Sequence, residues 1–564
     1  MSDDPGGWLV TVTQKVGNDM QSHHERSVRK LAASLLFAFT LYAGAVGIVS
    51  GVPVSSNKAH DKGDKALRRG DYQLAEKIFR ELLGKDAHDN EARLGLSFAL
   101  LKQRILQDAY DHAARVLLLD PLSARAHALL GSAILAAGDF RNSVEEFHTS
   151  LALNEDEALA IAGLAMVDFY ENRLDLALPK LRRAASLDPD EPDYVFNLGQ
   201  AAARSERYKE AADSYERFLA IAPKTDADRR ARIRGLIDFL RYLGKQGSLY
   251  VVGGANRTSI SFESFDNRPI FKIRINGQKE PFRFVLDTGS GMSVVSETTA
   301  RRLGLRPVAK GGLARAVGGG GKFEIVYGYI SSIEIGEVRV ENIPVYIRRF
   351  FDDKVPVDGY LGLSAVSKFL TAVDYEERRL ALIRQHQSDT YESWTTVRRD
   401  EASRSLEPVL QPDSSMEIPL RTTSSGFLSG EINLEGFDRP LNFIIDTAAS
   451  ISVVSEKLAE HEQITALLQP SKMRVFGAAG VTDDVKLVRL PKVTFGVLAL
   501  ERINAAVLDL EPVNETSGFT QSGIIGGNFL NRFRIYFDFA RSMIRLEPRA
   551  PKAEKLESIK PKDF

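Results

Sequence analysis

Three textures follow one another along the chain. Residues 31–57 contain no Asp, Glu, Lys or Arg, and the run from Leu31 to Ser50 is apolar on every face of a helix. Such a run can cross a hydrocarbon core of about 30 Å, so 31–54 is expected to be a transmembrane anchor. Arg26, Arg29 and Lys30 stand just before it. By the positive-inside bias, 1–30 is then a cytoplasmic leader and everything after the anchor is extracytoplasmic, or periplasmic in a bacterium. The small residues Ala43, Gly44 and Ala45 leave a cleaved signal peptide as the competing reading, but the long polar leader favours an uncleaved anchor.

The second texture is periodic. Small residues four positions ahead of an aromatic or apolar one recur every 34 residues: Ala75 and Phe79, Ala109 and Ala113, Ser143 and Phe147, Ala177 and Leu181, Ala211 and Tyr215. Pro121, Pro189 and Pro223 keep the same step and stop helices, because the residue before Pro avoids the α region. Turn-like stretches at Gly70-Asp71, Gly138-Asp139 and Glu206-Arg207 fall between the two helices of a repeat. The pattern resembles the tetratricopeptide repeat over 56–246, with Asp226 to Leu243 as a solvent-capping helix. Helix pairs of this kind bury their apolar faces only by stacking, which builds a superhelix with a concave groove. The resemblance implies a protein or peptide partner in that groove. Arg229, Arg230, Arg232 and Arg234 read as a solvated helix face.

After Gly247 helical periodicity fades and alternating β-branched residues appear, as in short strands. One block occurs twice. Phe282 to Glu297 contains Asp287-Thr288-Gly289, and Leu441 to Glu456 contains Asp446-Thr447-Ala448, placing the two Asp residues 159 positions apart. Glycine-rich segments follow at the same offset, Gly318, Gly319, Gly320 and Gly321 against Gly477, Ala478, Ala479 and Gly480. Tyr360-Leu361-Gly362 then matches Ile524-Ile525-Gly526, and Phe369 to Asp374 matches Phe533 to Asp538.

This order of features resembles the retropepsin-like aspartic proteases. The resemblance implies two fused all-β lobes, 249–386 and 415–549, joined by a polar linker at 387–414 and followed by a charged, disordered tail at 550–564. The expected architecture is therefore multidomain: one transmembrane helix, an all-α repeat superhelix and an all-β double-lobed protease fold. Asp374 and Asp538 are expected at structural turns near the lobe ends.

Composition narrows the chemistry. The chain has 564 residues and a net charge of −1, so nothing in the bulk charge points to nucleic acid. It has no Cys, which removes thiol nucleophiles and Cys-ligated metals. The nine His show no zinc-binding spacing, and no metal or cofactor is expected. Any chemistry then comes from Asp, Glu, Ser, Thr, Lys or His, and the carboxylates of the duplicated block are the pair with matched surroundings. Two carboxyls about 3 Å apart cannot both ionise readily and share a proton. One can then activate water while the other protonates a scissile carbonyl.

Asp287 and Asp446 are the candidate catalytic pair. The resemblance gives Thr288 and Thr447 the task of tying the two loops together, and gives Gly289 a close approach to substrate. The glycine-rich segments become two flaps. Ala448 departs from the family's glycine; if its φ is positive it costs roughly 1–2 kcal/mol. The expected function is a membrane-anchored aspartic endopeptidase acting on protein or peptide substrates. The alternative is a catalytically inactive peptide-binding scaffold built on a degenerate cleft.

Overall fold

The computed structural model describes residues 54–224, 227–319, 321–351, 356–385 and 416–548. The expected leader and anchor (1–54, apart from position 54 itself), the whole linker at 387–414 and the tail at 550–564 lie outside these residues. Among the described residues, no helix is long and apolar enough to cross a membrane.

Five antiparallel helix pairs open the described chain: Val54–Arg69 with Tyr72–Lys85, Asn90–Lys102 with Leu106–Leu119, Ala124–Ala137 with Phe140–Leu153, Ala158–Tyr170 with Leu174–Leu187, and Pro192–Arg204 with Tyr208–Ile221. Ala75, Ala109, Ser143, Ala177 and Ala211 are all fully buried, which is why the 34-residue step demands small side chains there. Asp71, Asp89, Ser123 and Asp139 cap helix N-termini by accepting from the backbone N–H three residues on. Each turn inside a pair uses one left-handed residue at the same phase: Gly70, Arg104, Gly138, Asn172 and Glu206.

The second and fifth helix pairs are bridged directly. Lys102 of the second pair reaches Glu191 at 2.5 Å and Asp193 at 2.7 Å at the start of the fifth pair. Those carboxylates hold the buried Lys102 ammonium above its ordinary range, against the opposing effect of burial. Pro223, after the fifth pair, packs against Gly70 in the first.

The final helix, Ala227–Leu243, corrects one expectation. It is not a solvent-facing cap. It lies on the strand Ala309–Arg315 of the first β lobe, so close that a methyl on Gly235 would sit 2.0 Å from the Lys310 carbonyl oxygen. Phe239 stacks on Tyr327 with centroids 4.2 Å apart, and Asp228 pairs with Lys322 at 2.6 Å. Three of its four clustered arginines are likewise engaged. Arg229 lies over the rings of Phe196 and Phe218, Arg230 donates to the Leu219 carbonyl, and Arg232 donates to the Leu313 carbonyl. Charge and spacing alone did not show the carbonyls and rings these side chains reach.

Among the described residues the β region forms three sheets. A nine-stranded sheet makes the first lobe and an eight-stranded sheet the second. A six-stranded sheet joins them through Phe369–Asp374, which runs antiparallel to Phe533–Asp538. Asp374 is buried there on Arg534 at 2.6 Å, and Asp538 accepts from Gln385. One continuous core fills both lobes, with Phe271, Phe284, Phe369, Phe443, Phe495 and Phe537 almost fully buried.

The repeats also dock on the second lobe. Phe519 is fully buried between Phe140 and Tyr170, with centroids 4.9 and 5.0 Å away. Asn442 donates to the Gly138 carbonyl at 3.1 Å, and Arg204 donates to the Thr423 carbonyl at 2.5 Å. The left-handed turn at Gly138 thus presents its carbonyl, and Phe140 and Tyr170 nearby their rings, to the second β lobe.

Candidate active site

In each lobe the Asp-bearing strand ends beside a short parallel partner. Phe282–Asp287 pairs with Gly359–Gly362, bringing Gly362 opposite Asp287, and Leu441–Ile445 pairs with Gly523–Ile525. Chain direction then delivers both Asp loops to the lobe interface. Thr288 and Thr447, both fully buried, lock them. Thr447 Oγ1 donates to the Leu286 carbonyl at 2.6 Å, and Thr288 Oγ1 donates to the Ile445 carbonyl at 2.7 Å.

This arrangement brings Asp287 and Asp446 together. Each retains some accessible surface, as a cleft open to water requires, yet both carboxyls are surrounded by protein. Burial holds Asp287 well above the usual carboxylate range, and the charge of Asp446 adds to it. Burial also raises Asp446, but less freely: the backbone N–H groups of Ala448 and Ala449 donate to its Oδ1 at 2.8 and 3.2 Å and favour the ionised form.

Gly289 and Ala448 occupy equivalent positions with different constraints. Neither uses a left-handed φ, so the backbone penalty considered for Ala448 does not arise. The glycine is instead a matter of space: a methyl on Gly289 would lie 2.5 Å from Cγ of Asp446. The methyl of Ala448 has somewhere to go, packing against the buried Ile270 and Val285 of the first lobe.

Two hairpins cover the pair, Ala309–Arg315 with Lys322–Ile335 and Leu468–Gly477 with Gly480–Phe495. Their tips interlock. Ala478 N–H donates to the Val317 carbonyl at 3.2 Å, Ala479 N–H to the Gly318 carbonyl at 3.3 Å, and Gly319 N–H to Thr482 Oγ1 at 2.6 Å. Gly318, Gly319 and Gly480 take left-handed φ values of 74°, 92° and 143°. Gly321 lies 3.4 Å, at its Cβ position, from the Ala479 carbonyl, while Gly320 is outside the described residues.

Sequence reasoning missed Arg348. Its guanidinium sits over the Phe323 ring of the first flap at 4.0 Å and donates to the Ala478 carbonyl of the second. Its charge is felt at Asp287. Only the strand register reveals it, since Arg348 pairs with Ser296 as Leu508 pairs with Ser455 in the other lobe. Among the described residues, no cluster of His, Cys, Asp and Glu could hold a metal ion.

Comparison with known proteins agrees with this geometry. An aspartyl protease family model matches residues 271–365 and 429–529. Two tetratricopeptide repeat models match 66–133 and 163–225. The chain carries a two-lobed aspartyl protease domain preceded by tetratricopeptide repeats, an architecture suited to protein–protein interaction.

A cell division cycle protein 16 homolog of Homo sapiens is 29% identical over 114 residues, 19% of this chain and 18% of its own. Anaphase-promoting complex subunit 3 of Schizosaccharomyces pombe is 27% identical over 160 residues, covering 28% and 24%. These matches span a quarter or less of the relatives' own length. Among solved structures, the repeat protein TTC0263 of Thermus thermophilus is 21% identical with a TM-score of 0.28, covering 32% of this chain and 98% of that one. A MamA structure is 24% identical with a TM-score of 0.21, covering 28% and 92%.

Proposed function

We propose that this protein is a membrane-anchored aspartic endopeptidase whose repeats recruit a substrate or partner protein. The observation that carries the reading is the pairing of Asp287 with Asp446, locked by the Thr288–Thr447 exchange beneath two interlocked flaps. Burial and the charge of Asp446 beside Asp287 disfavour ionising both carboxyls at once, so the pair shares a proton.

The N–H groups of Ala448 and Ala449 support Asp446 as the charged partner, leaving the shared proton on Asp287. Asp446 takes a proton from water as the water oxygen bonds to the scissile carbonyl carbon. Asp287 gives its proton to the carbonyl oxygen. The tetrahedral intermediate then collapses, with a proton passing to the departing amine. An extended peptide fits such a cleft by pairing with strand backbone, and the flaps part to admit it and close to exclude water.

The anchor at 31–54 and a cytoplasmic N-terminus complete the proposal, supported by the apolar run and the basic residues before it. The scaffold alternative rested on Ala448, whose methyl is accommodated without a left-handed backbone. The full chain in detergent, incubated with a peptide library and read by mass spectrometry, tests the reading. Internal cleavage blocked by a statine-type inhibitor is expected. Peptides that bind without being cut would favour the scaffold.

A further inference from the structure

The duplication makes Arg348 and Leu508 counterparts, each ending its strand and paired with the serine that ends the next. Leu508 lines a cavity of about 670 Å³ beside the second flap, whose walls mix Val485 and Val507 with Glu456, Asp483 and Asp509 and include neither Asp287 nor Asp446. At the equivalent place the first lobe puts a guanidinium. That guanidinium touches both flaps, through the Phe323 ring and the Ala478 carbonyl, and is close enough to Asp287 for its charge to be felt. A carbonyl and an aromatic face do not neutralise it. When the second flap lifts, Arg348 loses the Ala478 carbonyl and its N–H donors turn to whatever enters the cleft.

We infer that Arg348 is a specificity-determining residue, selecting peptides that carry an acidic side chain on the side of the first lobe. The inference rests on the peptide-cleft reading above. Successive side chains of an extended peptide point to opposite faces, so the acidic preference falls on alternate positions, those that face the first lobe. A carboxylate can take two parallel N–H bonds from the fork of Arg348. The same charge offsets the repulsion between an acidic substrate and the singly ionised Asp pair.

The test uses the full chain and matched peptides that differ only in Glu, Gln or Lys at one position on each side of the scissile bond. Wild type is expected to favour Glu over Gln by about tenfold in kcat/KM, the scale of one charge-assisted pair. Arg348→Gln should bring that ratio to about one, and Arg348→Glu should turn the preference toward Lys. Arg348→Lys, which keeps the charge without the fork, should retain part of the preference and guards against loss through misfolding. A Glu/Gln ratio near one in wild type, or one unchanged in Arg348→Gln, overturns the inference. Fluorescence anisotropy with the same peptides separates the two proposals. If wild type cuts nothing but its binding shows the same ratios, the peptidase reading fails and Arg348 stands. If the peptides bind without discrimination, Arg348 falls.

Discussion

Thr288 and Thr447 each satisfy the other's loop. The Thr447 N–H donates to Thr288 Oγ1 at 3.0 Å, and the Thr288 N–H donates to Thr447 Oγ1 at 3.3 Å. Each hydroxyl in turn donates a hydrogen bond to a carbonyl of the opposite lobe. Because both residues are fully buried, no water can replace a lost partner.

Thr288→Val removes an acceptor and a donor at once, leaving the Thr447 N–H and the Ile445 carbonyl without Thr288 as partner. Thermal melts should show a loss of about 1–3 kcal/mol for each orphaned group, whereas Thr288→Ser stays near wild type. The double variant Thr288→Val/Thr447→Val should cost less than the sum of the singles, since both remove one network.

Gly289→Ala and Ala448→Gly should behave differently despite their equivalent positions. The first drives a methyl to 2.5–2.6 Å from the Asp446 carboxyl, so kcat should drop at least a hundredfold, or about 3 kcal/mol of barrier. The second frees backbone and removes a packed methyl, costing about 1 kcal/mol of stability. Peptidase assays and melts on the two variants check the asymmetry.

The Asp pair should make stability fall with pH. Each carboxyl is raised above its unfolded value of about 3.9, so the native state binds more protons than the unfolded one. The resulting stability is present below that unfolded value and is lost as pH rises through the native values. Asp446→Asn removes one of the charges. Its Tm should exceed that of wild type at pH 7–8, and the gap should close as pH approaches 3.

The repeats and the β lobes should melt together, because Phe519, Asn442, Arg204 and Phe239 tie them into one body. Phe519→Ala empties a fully buried aromatic site and should cost about 3–5 kcal/mol. Calorimetry should show one transition in wild type and two in the variant.

Much of this was written in spacing. A 34-residue step demands Ala75, Ala109, Ser143, Ala177 and Ala211 where helices touch, and a 159-residue step repeats the Asp-Thr block; both are one-dimensional signals of three-dimensional repetition. What spacing cannot carry is the contact between modules. The arginines from Arg229 to Arg232 looked solvated because their carbonyl and ring partners come from other elements, including Leu313 in a different module. Arg348 looked like any strand-end arginine until pairing with Ser296 made it the counterpart of Leu508. Ala448 looked costly because a family glycine suggests a left-handed φ, whereas Gly289 is small for lack of room beside Asp446.

The most direct measurement is hydrolysis of a cleavable library peptide by the full chain, compared with Asp287→Asn and Asp446→Asn at matched folded concentration. The account expects each substitution to lower kcat by at least about a thousandfold, since either one breaks the shared-proton pair, while thermal melts confirm that both variants remain folded. Wild-type turnover in either folded variant would contradict it.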